Sequence, residues 1–314
     1  MKEFKKIIFV LIIVTLVFLV LVFNEDTKES SDTKLVVATS TFSLYDITKH
    51  ISEDTIQIIN ILPFGVDAHS FEPTPKLMAS LEKSQLVIYS GAGLEPWIKG
   101  FKFKNDSIDM SKKVKLRELQ VDKHHHHDHH EEGHQCSSSK LDPHYWLDLQ
   151  NMKISTHIIT DALIKISPSN KDIYITNRNS YLAMLDNLDA EYQKVLGSCK
   201  KETIITNHNA FSYLANRYNF KVETLSGLSP DAQPNAKQIT KLMEHIKENN
   251  ITTIFFESFV SDRVMKSIAK DTNVAVDTLQ PLGNITKDEA DKNATYETIM
   301  KENLLKLSKA LMCQ

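Results

Sequence analysis

From residue 35 onward, short apolar runs alternate with segments whose apolar residues recur at helical spacing, and the alternation occurs in two blocks. In the first block, residues 35–39, 56–62 and 86–89 read as strands and residues 42–52 and 75–84 as helices. Leu44, Ile47 and Ile51 share one face of the first of these helices. In the second block, strands over 203–206, 222–225, 251–256 and 274–278 alternate with helices over 210–218, 235–249 and 262–270. A helix between two strands is the crossover that parallel pairing requires, and such sheets are covered on both faces. The expected fold class is α/β, with two lobes, each a parallel sheet flanked by helices.

A long periodic stretch separates the blocks. Ser167 offers a helix cap, Pro168 suits the first helical position, and Tyr174, Tyr181, Leu185, Leu188, Tyr192 and Val195 follow at three-, four- and seven-residue spacing up to Gly197. Residues 167–198 therefore read as the connecting helix segment, with about 28 helical residues and about 42 Å of helix at 1.5 Å per residue. A helix of that length is a stiff spine between lobes at 35–166 and 199–314; a surface helix of one lobe is the alternative. Residues 111–140 differ in composition, running from Lys-rich through HHHHDHHEEGH to CSSSK, and read as a disordered loop inserted in the first lobe.

Residues 1–34 precede the fold. Lys2, Lys5 and Lys6 come before an apolar run over 7–23, broken only by Thr15, and Glu25, Asp26 and Glu29 follow. That order marks an export segment with its amino end in the cytoplasm. As a helix the run spans about 25 Å, slightly short of a bilayer core of about 30 Å. No A-x-A-like site and no lipid-accepting Cys follows it. A cleaved signal peptide and a retained membrane anchor both stay open, and either places the remainder in the periplasmic or extracytoplasmic space.

Composition narrows the function. The 37 basic and 40 acidic side chains leave a formal charge of −3 with no basic block, which weighs against nucleic acid as a partner. With 8 glycines there is no Gly-rich phosphate loop. Of 13 histidines, seven lie between His124 and His134. The three cysteines are too few for a disulfide framework; one pair can close, Cys199 with Cys313, leaving Cys136 free beside the His run.

Four further positions put a metal-ligand type at a strand end or turn. His69 sits in PFGVDAHSFEP, His144 in DPHYWLD with Trp146 able to wall a site, His208 in TNHNAF at a strand–helix junction, and Asp277 in VAVDTL at the end of the last strand. Ligands of open α/β sheets collect outside the carboxyl ends of the strands. Three imidazoles and one carboxylate suit tetrahedral Zn²⁺ better than Mn²⁺, which prefers more oxygen. His50, His157 and His245 fall within helices and are not assigned to metal.

PFGVDAHSFEPTP, DPHYWLD, TNHNAFSYLANRYNF, LSPDAQP and VDTLQPLG occur in that order. Together they resemble the zinc/manganese solute-binding proteins of ABC importers, the ZnuA/TroA-like group. The resemblance implies two α/β lobes joined by one rigid helix, metal in the cleft between them, and ligands at His69, His144, His208 and Asp277. Manganese-binding members tend to carry Glu where this chain has His208. Asn209 stands where many relatives carry Asp, and Ala68 where some zinc-type members carry Glu, which leaves Asp277 as the better fourth ligand and Glu257 in reserve.

The expected function is an extracytoplasmic zinc-binding protein, monomeric and not an enzyme, that delivers Zn²⁺ to an ABC permease and its ATPase. His124, His125, His126, His127, His129, His130 and His134 would capture metal more weakly and less selectively than the cleft, because a flexible segment loses entropy on ordering. A solvated insertion without function is the alternative for that run. The alternatives for the whole chain are manganese binding, a metal buffer or adhesin, and a zinc hydrolase. The last would keep three His and an open position, but no H-E-x-x-H helix or nucleophile elbow is present.

Overall fold

The computed structural model describes residues 34–119, 141–224, 236–257 and 263–314. The apolar run 7–23, the His run 124–134, Cys136 and the LSPDAQP motif lie outside the described residues. Strands β1 (Leu35–Thr39), β2 (Ile56–Asn60), β3 (Leu86–Tyr89) and β4 (Asp106–Asp109) alternate with helices α1 (Phe42–Ser52) and α2 (Pro75–Leu81). A two-stranded antiparallel ribbon pairs β5 (Arg117–Glu118) with β6 (Leu141–Asp142), and α3 (Leu149–Ile166) follows. Pro168 opens a short 3-10 turn rather than the long helix itself, which is α4 (Lys171–Leu196), 26 residues long. The second block comprises β7 (Thr203–Thr206), α5 (Ser212–Tyr218), β8 (Lys221–Thr224), α6 (Ala236–Glu248), β9 (Thr253–Glu257), α7 (Arg263–Thr272) and β10 (Ala275–Leu279). Helices α8 (Lys287–Asp291) and α9 (Tyr296–Ala310) complete the chain. Among the described residues, no helix is long and apolar enough to cross a membrane.

All pairings in the two large sheets are parallel, in the orders β2-β1-β3-β4 and β10-β9-β7-β8. Read from its first strand, each sheet has the same topology: the second strand lies on one side of the first, and the third and fourth on the other. Each sheet therefore has a switch point, between β1 and β3 in one and between β7 and β9 in the other. Period-two alternation along each strand fills both faces. Val37, Leu86 and Ile88 face one apolar layer while Ala38 and Val87 face another, and Ile204 and Phe255 likewise oppose Ile205 and Ile254.

The inner layers are not separate. Val37, Leu86 and Ile88 from the first sheet and Ile204 and Phe255 from the second belong to one buried cluster, which runs through Tyr174, Tyr181, Leu185, Leu188, Tyr192 and Leu196 of α4. The connecting helix thus fills a core common to both sheets. Its tyrosines also carry hydrogen bonds to either side: Tyr181 Oη donates to Asp46 on α1 (2.7 Å), and Tyr192 Oη to the Met300 carbonyl on α9 (2.6 Å). Asp46 accepts in addition from the Tyr296 amide at 3.1 Å, so the first and last helices meet on one carboxylate.

Two expectations change here. Residues 111–119 are ordered, not part of a loop without a core: Val114 and Leu116 pack on the central cluster, and the Lys115 amide donates to Asn151 at 3.0 Å. The edge strand β4 and helix α9 were not anticipated; β4 has a single apolar residue in DSID, which gives no periodic signal.

Cys199 and Cys313 are disulfide-bonded, joining the segment after α4 to the segment after α9 across 114 positions. Closing a loop of that size restricts the unfolded chain by about 4–5 kcal/mol in the chain-entropy account. The double substitution Cys199→Ser/Cys313→Ser should lower the Tm by about 10 °C in calorimetry under oxidising conditions. A Tm within about 2 °C of the parent would show that packing alone holds this corner.

Candidate metal centre

Loops from both sheets meet at a small buried cavity. The segment after β2 carries His69, the turn after β6 carries His144, and the strand–helix junction after β7 carries His208. One ring nitrogen from each lies within 4.8 Å of the others. His69 Nε2 and His144 Nε2 are 3.3 Å apart. A tetrahedral Zn²⁺ with Zn–N of about 2.0–2.1 Å separates its nitrogens by about 3.3 Å, so this edge already has the length such a site needs. The cavity measures about 20 Å³, room for about one water-sized sphere, and Leu94, Trp146 and Pro281 wall it.

Each buried imidazole has a carboxylate behind it. His144 Nδ1 donates to Asp142 Oδ1 at 2.8 Å, and the same oxygen accepts the His144 amide at 2.9 Å. Glu257, the last residue of β9, lies with Oε1 against His208 Nδ1. On His144, the carboxylate holds the proton at Nδ1 and turns the Nε2 lone pair outward, which is the orientation a metal ligand needs. Trp146 is held in turn: its Nε1 donates to the Pro281 carbonyl (2.7 Å), and its carbonyl accepts from Tyr296 Oη (2.7 Å). Gly283 leaves room for the indole, since a Cβ there would come within 3.3 Å of Trp146 Cζ2. Asn284 Nδ2 donates to the Pro63 and Val66 carbonyls (2.6 and 2.8 Å) and so pins the β10 side of the cavity to the loop that bears His69.

The sequence profile described as "Zinc-uptake complex component A periplasmic" (ZnuA) matches residues 37–310. The chain belongs to this family. It is 34% identical over 297 residues to the high-affinity zinc uptake system protein ZnuA of Bacillus subtilis, covering 92% of each chain. It is 31% identical over 311 residues to the manganese ABC transporter substrate-binding lipoprotein PsaA of Streptococcus pneumoniae, covering 98% of this chain and 99% of that one. Among solved structures, the Zn(II)-bound ZnuA-like domain of Streptococcus pneumoniae AdcA superposes with a TM-score of 0.73 at 28% identity, over 88% of this chain and 99% of that domain.

In this ZnuA-family chain the structure brings together His69, His144, His208 and Glu257, and not Asp277. Asp277 is opposite Phe255 in the β9–β10 register, whereas Glu257 is opposite Leu279, two positions nearer the cavity, about 7 Å along the strand. The Asp277 side chain is 44% exposed, bonded to the Thr278 amide (2.7 Å) and facing Lys306 Nζ at 3.9 Å. The expectation placed it at the strand end, but β10 continues to Leu279. His50 stacks on Tyr181 and His245 pairs with Glu223, both away from the cavity. Asp142 was not singled out from the sequence, although a carboxylate two positions before a candidate ligand in D-P-H is the signal that could have found it.

Burial shapes the titration. It pushes His208 down to about 3, with the neighbouring His144 adding to the effect, and it holds His69 well below the usual imidazole range, reinforced by His144 and His208. Burial likewise pushes Glu257 up to about 8. For Asp142 burial works upward, yet the hydrogen bond and charge of His144 and the hydroxyl of Ser212 outweigh it and leave the carboxyl below its ordinary value. The lone pairs of His69 and His208 are therefore free at neutral pH, and protons do not compete there for a metal. An imidazole with a depressed folded pKa contributes stability that is present above about pH 6.5 and is lost as the pH falls toward the folded value. Histidine NMR of the metal-free protein should show the His208 ring neutral throughout pH 5–8; a midpoint near 6.5 would contradict the burial argument.

Proposed function

We propose that this protein is an extracytoplasmic zinc-binding protein that delivers Zn²⁺ to an ABC permease driven by its ATPase. The observation that carries this reading is the convergence of three imidazole nitrogens, contributed by both sheets, within 4.8 Å of one another, with the His69–His144 edge at the 3.3 Å of a tetrahedral zinc site. The zinc-uptake and Zn(II)-bound relatives support it. His69, His144 and His208 are the proposed ligands. Asp142 orients His144 from behind, Glu257 lies against His208, and the ion would take the single water-sized space that the imidazoles line. Manganese, named for the PsaA relative, prefers oxygen donors and suits an all-nitrogen protein set less well.

Three His and an open position also describe catalytic zinc sites. Here the carboxylates nearest the imidazoles have their oxygens on Nδ1 atoms, where they position the rings rather than activate water, and we infer a binding protein rather than an enzyme. The seven histidines from His124 to His134 are proposed as an auxiliary capture segment, and residues 1–34 as the export segment that directs the chain outside the cytoplasmic membrane.

Competitive Zn²⁺/Mn²⁺ calorimetry on protein lacking residues 1–23 and 124–134 tests the reading. Zn²⁺ should bind with 1:1 stoichiometry and far more tightly than Mn²⁺. His144→Ala and His208→Ala should each weaken Zn²⁺ by about 100-fold or more, while Asp277→Asn stays within twofold. Mn²⁺ binding as tightly as Zn²⁺ would overturn the selectivity, and full affinity in either alanine variant would overturn the ligand set.

A further inference from the structure

Asp142 does more than face His144. The residue is buried, and both its carboxylate oxygens and its carbonyl are engaged, in opposite directions. Oδ1 takes the His144 amide and Nδ1 (2.9 and 2.8 Å). Oδ2 takes the hydroxyl of Ser212, the first residue of α5. The Asp142 carbonyl accepts from Tyr213 Oη at 2.8 Å, and that hydroxyl accepts the Arg117 amide at 2.8 Å, so the β5–β6 ribbon and α5 are stitched together at this point. Ser212 stands four residues after His208 on the connection that leaves β7. One carboxylate therefore links a proposed ligand carried by the first block to the element that follows a proposed ligand carried by the second.

The link is asymmetric in access. Asp142 and His144 are buried, but Ser212 is half-buried and borders a polar groove of about 400 Å³ lined also by Arg117, Asn209, Asn216 and Asn219. Among the described residues, the latch is exposed to solvent at its serine end.

We propose that Ser212 and Asp142 form a cross-block latch that sets the rate of metal release, with Asp142 as the positioning residue. With the Ser212 bond made, Asp142 cannot rotate, the His144 ring stays in the orientation that aims Nε2 at the cavity, and metal leaves slowly. With it broken, Oδ2 is unrestrained, the His144 ring gains freedom, and the metal loses one of its three imidazoles more often. The inference rests on the zinc-binding reading and adds to it a residue outside the ligand set that controls the off-rate.

The test is Zn²⁺ release from the full-length protein into excess chelator, followed by stopped flow. The slow phase that His208→Ala abolishes reports the cleft. Ser212→Ala should accelerate that phase about tenfold, in the range that partners of metal-bound histidines carry, and Ser212→Thr, which keeps a hydroxyl, should restore the parent rate. Asp142→Asn should accelerate it at least as much, and the double variant Asp142→Asn/Ser212→Ala should be no faster than Asp142→Asn alone, because both act through one contact. The metal-free Tm of Ser212→Ala should stay within about 2 °C of the parent, which separates a latch from a loss of fold. A Ser212→Ala rate within twofold of the parent, failure of Ser212→Thr to rescue, or multiplicative effects in the double variant would overturn the latch. Absence of any slow phase that depends on His208 would overturn the zinc-binding reading instead.

Discussion

The architecture depends on one apolar core shared by two sheets. A solute-binding fold with two independent cores can swing about its connection, but here the inner faces of both sheets and the buried stripe of α4 form one cluster. Opening the lobes would expose that cluster to water at about 25 cal/mol per Å² of apolar surface, so wide hinge motion is expensive. The polar tethers act in the same sense: Tyr181 and Tyr192 bond to either side of α4, and the Tyr296 amide meets Tyr181 on Asp46. Because the core sets the distance between the strand ends, it also sets the distance between the imidazoles that those ends carry.

The repeated sheet topology gives each sheet a switch point, and each switch point receives a buried glutamate used in a different way. In the first sheet Glu95 accepts from Ser40, from the Ser90 amide (2.8 Å) and from the Gly91 amide (2.9 Å), across the ends of β1 and β3. Burial pushes it up to about 7 in spite of those bonds. The crevice is thereby filled by the protein's own side chain. In the second sheet Glu257 sits at the end of β9 and meets His208 after β7, and the crevice stays open as a wall of the cavity. The first sheet consequently supplies its imidazoles from loops beyond its switch point, at His69 and His144.

Charge follows from this layout. Burial, reinforced by neighbouring imidazoles, keeps His69 and His208 neutral, while Asp142 lies behind the His144 ring rather than among the nitrogens. Negative charge on Asp142 raises the basicity of a metal-bound His144 without occupying a coordination position. The site is thus preorganised by side chains that need not touch the metal themselves.

Much of this was legible in the residues. Alternating strand and helix periods announced parallel α/β blocks, because a strand buried on both faces and an amphipathic helix leave different spacings of Val, Ile and Leu. The three histidines were legible because each sits on a loop or turn that follows a strand or ribbon. Asp277 shows the limit: β10 runs on to Leu279, so Asp277 lies two register positions short of Glu257, and local sequence does not set where the strand ends. Helix α9 carried a signal in Tyr296, Ile299, Met300, Leu304 and Leu307, spaced three to four apart, whereas β4 carried none. By itself, the sequence determined the element types, the stiff helix and the imidazole chemistry, since these follow from local spacing and side-chain identity. Only the tertiary structure decided that the two sheets share a core, that Glu257 and not Asp277 reaches the cavity, and that Asp142 ties His144 to Ser212. Those are contacts between residues about 50 or more positions apart, and their partners are selected by packing, which no local pattern encodes.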